Sequence, residues 1–413
     1  MKDFLCQRVE PLEKSKGRDQ KMELGKFNIL LLALLVAAMA MVAVVSAADS
    51  HTDLAQSNLI EKNYISADEA RMSSTAVMKN FINSGSLNGD WNDAIISTSP
   101  VIIYDVNGKR LFYLFSVEKG GKKIGEIQAA ASRVLGGSVM TIGSTSYLDY
   151  LDRTSRKADS LTEQMGIKSL ITVRKFVSYN YPKLGVQVTT SDPDTGKSQD
   201  LIFDAGDYHL VNSSEIHSFY ADIPTDEQSE RINRYTLENT ELAKKSTSAK
   251  LVVITTGHVS GFTLYPQVND YWCGPATAQM ISQRYGVSRS QYTIAATVGI
   301  GPTEGIDYKD MYTKYYIKSI SSGGLGKSGS EKIIGGPTTL YGIVKSEIDA
   351  QRPVVINTMA HTMAVGGWEE HDGGSAGRYF QIYDPWPENL GAVYNQNFDM
   401  ARNTYIGSIL VKD

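Results

Sequence analysis

Cysteine is nearly absent from this sequence, with only Cys6 and Cys273 among 413 residues. Cys6 precedes the one long apolar run, so in an exported chain Cys273 stands alone. That excludes a disulfide framework and leaves an odd thiol that is a liability in an oxidising place unless it is used. Excess charge of one sign is also missing. Forty-one Lys and Arg stand against 45 Asp and Glu, a net charge of -4, and no basic cluster is interleaved with aromatics, which removes the electrostatic case for nucleic acid. His209 and His217 lie near strand ends without metal-ligand spacing and read as solvated side chains. Long apolar runs are scarce too, the exception being Ile29 to Val45.

That run follows Lys21 and Lys26 and is followed by Ser46-Ala47-Ala48, small residues suited to cleavage before Asp49. Residues 1–48 therefore read as a signal peptide or, since the run nearly spans a bilayer, as an uncleaved anchor over 27–48. Met22 would open a more compact leader. Either reading places the bulk outside, extracellular or on the cell surface, with membrane contact only through the N-terminal segment.

With 42% hydrophobic and 21% charged residues the chain is globular in composition and long enough for two or three domains. Ser66 caps a helix through Ile82, with Glu69 three residues on. Val101 to Asp105, Asn107-Gly108 and Leu111 to Val117 read as a β-hairpin, and Gly120-Gly121 leads to a third strand through Ile127. The order recurs: helix over Tyr147 to Met165, then strands at Leu170 to Val177, Leu184 to Thr190, Leu201 to Asp204 and Tyr208 to Val211. Residues 49–243 thus form an α+β region, open to reading as a duplication or a PepSY-like propeptide. No catalytic group stands out in it. A charged helical stretch up to Lys245 and a linker at 244–250 precede a second domain, 251–413.

That domain begins with a helical half. In Tyr265-Pro-Gln-Val-Asn-Asp-Tyr-Trp-Cys-Gly-Pro-Ala-Thr-Ala-Gln-Met-Ile, a helix begins at Cys273, with Pro275 in its first turn and Thr277, Met280 and Ile281 on one stripe, and Gly286 ends it. A thiol there faces unpaired N–H groups and the positive end of the helix dipole, which favour thiolate. A second helix spans Ser288 to Val298, with Ser288 and Gln291 as a capping box. Ser319 to Gly336 is a Gly/Ser-rich loop suited to lie over a cleft. Thr338 to Ala350 is helical, and strands follow at Val354 to Asn357, Thr362 to Trp368, Tyr379 to Tyr383 and Tyr405 to Val411.

A thiolate needs a base, and His361 starts the Thr362 strand. The base needs an acceptor, and Asp384 ends the Tyr379 strand before Pro385, so adjacent antiparallel strands would bring the two together. The Gln267 amide, six positions before Cys273, is a neutral donor for an oxyanion beside the Cys273 N–H. His258 and His371 read as bystanders, and Glu369, Glu370 and Asp372 as a solvated turn.

Gln267 with Cys273, the Cys-Gly-Pro-Ala helix start, the His361-x-x-x-Val-x-Gly strand and Asp384-Pro385 together resemble the papain-like cysteine peptidases. They are similar above all to the branch of the bacteriocin-processing, double-glycine-cleaving enzymes, family 39-like, over about 251–413. The resemblance implies an α+β fold with a helical half against an antiparallel sheet. It implies Cys273 as nucleophile, His361 as base, Asp384 as its orienter and Gln267 as oxyanion donor, acting on a peptide or protein with no metal or organic cofactor. The bacteriocin-processing members are fused to transporters, and no transporter or nucleotide-binding motif occurs here, so double-glycine specificity does not carry over. The same triad suits an acyl transferase or amidase, and a third option is a silent surface-binding scaffold. Inhibition by the N-terminal region is a further expectation.

Overall fold

A computed structural model describes residues 50–87, 89–167, 170–192, 195–246 and 252–413. The leader, with its apolar run and Cys6, and residues 247–250 of the expected linker lie outside the described residues. No helix among the described residues is long and apolar enough to cross a membrane. The chain divides at Gln56: of Met1–Gln56 only 50–56 are described, the start of helix α1 (Ser50–Lys62), and Ser57–Asp413 form one compact unit.

Helix α2 (Ala67–Ser84) starts as its sequence requires, the Ser66 hydroxyl accepting from the Glu69 N–H at 3.1 Å, and it buries Ala70, Val77, Met78 and Phe81 along one stripe. The short β1 (Ile95–Ile96) is followed by the meander β2 (Val101–Asp105), β3 (Arg110–Lys119), β4 (Lys122–Ala130) and β5 (Val139–Gly143). Helix α3 (Tyr147–Gln164) leads to a second meander, β6 (Leu170–Asn180), β7 (Lys183–Ser191) and β8 (Ser198–Asp204). The strand expected at Tyr208 to Val211 does not form. Tyr208 takes a positive φ, 69°, and only Leu210 bridges to Phe203, because the chain turns away after Asp204. Helix α4 (Gln228–Ser246) closes this half.

The C-terminal half comprises β9 (Ile254–His258), α5 (Cys273–Arg284), α6 (Gln291–Val298), α7 (Tyr308–Met311), β10 (Glu331–Ile334), α8 (Leu340–Asp349), β11 (Val354–Asn357), β12 (Thr362–His371), β13 (Arg378–Asp384), β14 (Ala392–Asn397), α9 (Phe398–Ala401) and β15 (Gly407–Leu410). The cap of α6 is Ser290, accepting from Thr293 N–H, and not Ser288, so the helix begins later than the capping box suggests. The Gly/Ser-rich 319–336 segment is no free loop: β10 pairs with β15, and Arg289 donates to the Ile320 carbonyl.

The described strands form a fifteen-stranded sheet, with central order β10-β15-β11-β12-β13-β14-β5-β4-β3-β2-β6-β7-β8 and β1 and β9 paired to β3 and β12. It passes from one half of the chain to the other at β14 and β5, where Tyr394 lies opposite Gly143 and Gln396 opposite Thr141. A side chain at Gly143 would come within 2.7 Å of the Tyr394 backbone, so the close pairing there requires glycine. Both halves pack around the seam. Phe81 of α2 meets the rings of His371 and Tyr379 edge-on, at 5.0 and 4.9 Å, and the buried Arg231 of α4 donates to the Leu135 and Met400 carbonyls at 3.0 and 3.5 Å. The architecture is α+β, with helices against a largely antiparallel sheet.

Candidate active site

Cys273 is the first residue of α5, and the preceding Trp272 offers no side-chain cap, so the first-turn N–H groups stay available to whatever the thiol binds. The thiol is free and half-buried. The helix is fixed to the strand that carries the base: Thr277 Oγ1 donates to the Thr362 carbonyl at 3.1 Å. A tight turn joins β11 to β12, with Thr358 N–H donating to the His361 carbonyl at 2.8 Å and the Thr362 hydroxyl donating to Asn357 Oδ1 at 2.8 Å. That turn sets His361 immediately before β12.

Antiparallel pairing does the rest. Ala364 lies opposite Tyr383, so the start of β12 and the end of β13 share one end of the sheet. There His361 Nε2 and Asp384 Oδ1 are 2.6 Å apart, both side chains buried. Asp384 is itself held, Oδ1 accepting from Trp386 N–H at 2.9 Å and Oδ2 from the Tyr394 hydroxyl at 2.9 Å. The other ring nitrogen of His361, Nδ1, is buried without a conventional hydrogen-bond partner, which leaves it for the sulfur of Cys273.

The electrostatics agree with that pairing. Burial opposes charge on His361, but the Asp384 carboxylate and the Cys273 thiolate outweigh it and push the imidazole up to about 9. Burial likewise pushes the Cys273 thiol up, and the hydrogen bond and charge of His361, the Lys183 ammonium and the Thr362 N–H more than reverse this, leaving the thiol below its ordinary value. Each partner is thus shifted toward its charged form by the other.

Gln267 is buried and locked into the Asp384 loop, its N–H donating to the Pro385 carbonyl and its carbonyl accepting from Asn389 N–H, both at 2.9 Å. Its side-chain Nε2 donates to the Asn269 carbonyl at 2.9 Å, which engages one amide hydrogen and leaves the second free. It does not line the cleft as Cys273 and His361 do.

That cleft has a volume of about 520 Å³. One wall comes from Cys273, Asn357, Met359, His361 and Tyr308, and the opposite wall from the other half of the chain, including Asn180, Lys183, Asp207, His209 and Glu215. Sequence reasoning found no functional group in that half; the residues fall at hairpin ends whose distance from Cys273 no local pattern carries. Asp270, three residues before the nucleophile, lies at the same mouth, and burial with the carboxylates of Asp207 and Glu388 pushes it up to about 7.

The histidines expected to be solvated are paired. His209 Nδ1 meets Asp207 Oδ1 at 2.5 Å, and His217 Nε2 meets Asp222 Oδ1 at 2.7 Å. Asp204, Asp207 and His209 bring ligand atoms within 4.8 Å of one another. Yet Asp204 already accepts from Tyr179, Gly206 N–H and Asp207 N–H, so the group reads as a hydrogen-bonded turn. The expected solvated turn at 369–372 is also corrected: Glu369 and His371 are buried and paired at 2.6 Å, because α2 covers them and Ser84 donates to Glu369.

No curated protein matches the chain. A family model does, over residues 259–408, and its description is the Peptidase_C39 like family. The matched segment contains Gln267, Cys273, His361 and Asp384. Over these residues the chain carries a papain-like, C39-like cysteine peptidase domain.

Proposed function

We propose that this protein is an exported thiol peptidase in which Cys273, His361 and Asp384 form the catalytic triad. The observation that carries the reading is the buried His361–Asp384 pair, which leaves Nδ1 of the imidazole to the cysteine at a helix N-terminus beside an open cleft. The Cys273 thiolate attacks a peptide carbonyl carbon. The carbon–sulfur bond forms as the carbonyl oxygen becomes an oxyanion, which the Cys273 N–H and the free amide hydrogen of Gln267 receive once the glutamine side chain turns toward the cleft. His361 gives its proton to the leaving amine as the carbon–nitrogen bond breaks. Water, deprotonated by His361, then attacks the thioester, releasing the acid and restoring the thiolate. Asp384 keeps the imidazole in the tautomer and orientation that both steps need.

Hydrolysis of an unbiased peptide library by the full chain tests this, with Cys273→Ala beside it. Turnover lost in the variant, with an unchanged melting temperature, is expected. Equal rates in the two proteins would sink the assignment, and amide products formed with added amines would point to acyl transfer instead.

A further inference from the structure

Lys183 sits where the β6–β7 hairpin reaches the cleft, paired with Asn180 across the turn. The hairpin tip is anchored on the peptidase domain: the buried Tyr181 hydroxyl accepts from Gln396 Nε2 at 2.8 Å, and Gln396 Oε1 accepts from the Tyr405 hydroxyl at 2.6 Å. On its other side Asn180 Nδ2 donates to the Glu215 carbonyl at 2.8 Å. The backbone that presents Lys183 is thus held by buried groups of both halves.

Lys183 lines the same cleft as Cys273 and His361. Two carboxylates of its own half that share the cleft, Asp207 and Glu215, are engaged by His209, and among the described residues the Lys183 ammonium closes no ion pair or hydrogen bond of its own. The charged and titratable groups that act on it or share the cleft with it include Asp204, Asp207, His209 and Glu215 from its own half and Asp270, Cys273, Asp307 and His361 from the other. A half-buried ammonium in such a cleft is screened far less than one at the open surface.

We propose that Lys183 is a positioning residue of the thiol site, a cation lent by the N-terminal half that favours the Cys273 thiolate, and that this half is a lasting wall of the active site rather than a segment removed to open it. The inference rests on the thiolate chemistry proposed above. It also assigns a role to the continuous sheet: the β14–β5 seam joins the strands that carry the hairpin to those that carry His361 and Asp384.

The test is the pH dependence of Cys273 alkylation by iodoacetamide in the full chain, compared with Lys183→Met, Lys183→Arg and His361→Ala, with melting curves for each. Lys183→Met is expected to move the rise in labelling to higher pH and to slow labelling below neutrality by at least about threefold, while Lys183→Arg keeps the wild-type profile. Lys183→Gln repeats the comparison with a polar side chain if methionine lowers the melting temperature. Superimposable profiles for wild type and the Met and Gln variants, while His361→Ala loses its acid-side reactivity, would overturn the role of Lys183 alone. Wild-type labelling that rises only like an ordinary thiol would overturn this inference and the peptidase reading together.

Discussion

His361 and Asp384 stand 23 residues apart in the chain and 2.6 Å apart at Nε2 and Oδ1, buried at the end of two neighbouring strands. The pair selects the tautomer of the ring: with Nε2 engaged, only Nδ1 can serve the thiol. Asp384→Asn keeps the shape and removes the charge, so kcat on a fluorogenic peptide should fall by roughly 10² to 10⁴ while the fold persists. A variant within a factor of two of wild type would remove Asp384 from the triad.

Rate against pH should be bell-shaped. The proposed mechanism needs Cys273 deprotonated and His361 protonated. The rising limb of kcat/KM therefore lies below the ordinary thiol range, and the falling limb follows His361 near its value of about 9. A falling limb near 6.5 would mean that Asp384 does not hold the imidazolium.

Gly206 offers a test from outside the peptidase domain. A methyl group there would come within 2.6 Å of the Trp386 ring, which also stacks on Tyr147 at 5.8 Å, and the backbone N–H of Trp386 donates to Asp384. Gly206→Ala should destabilise the fold by about 1–3 kcal/mol through overpacking and lower kcat more than it raises KM. Unchanged kinetics and melting would show that this contact does not support the triad.

Asp270 makes a prediction about stability. Its carboxyl is raised from 3.8 to about 7 by burial and by Asp207 and Glu388, so the folded protein holds this proton more tightly than the unfolded chain does. The resulting stabilisation is full below pH 3.8 and disappears as pH rises through about 7. Asp270→Asn should therefore be the more stable protein at alkaline pH, by on the order of 1 kcal/mol after allowing for solvent screening, and should match wild type in acid. Urea titrations at two pH values check the sign.

What could be read from the sequence was whatever has a local signature. Ser66 and Glu69 start α2, Asn107-Gly108 turns β2 into β3, and Val354 to Asn357 is a strand with those bounds. The candidate triad was legible because each member marks the end of an element: Cys273 a helix start, His361 a strand start, Asp384 a strand end. What escaped was long-range. Lys183 and His209 are ordinary residues near strand ends until the fold brings them to the cleft, and Glu369 looks solvated until α2 covers it. The β14–β5 seam has no motif, since pairing between distant strands depends on backbone groups that every residue shares.

The seam has a consequence for how the protein can be handled. Without the first half of the chain, β14 would become an exposed edge strand, presenting unpaired N–H and C=O groups from Tyr394 to Gln396 to any neighbouring chain. The peptidase domain cut free at residue 251 should therefore self-associate through that edge, and the first half of the chain acts as its built-in guard against aggregation.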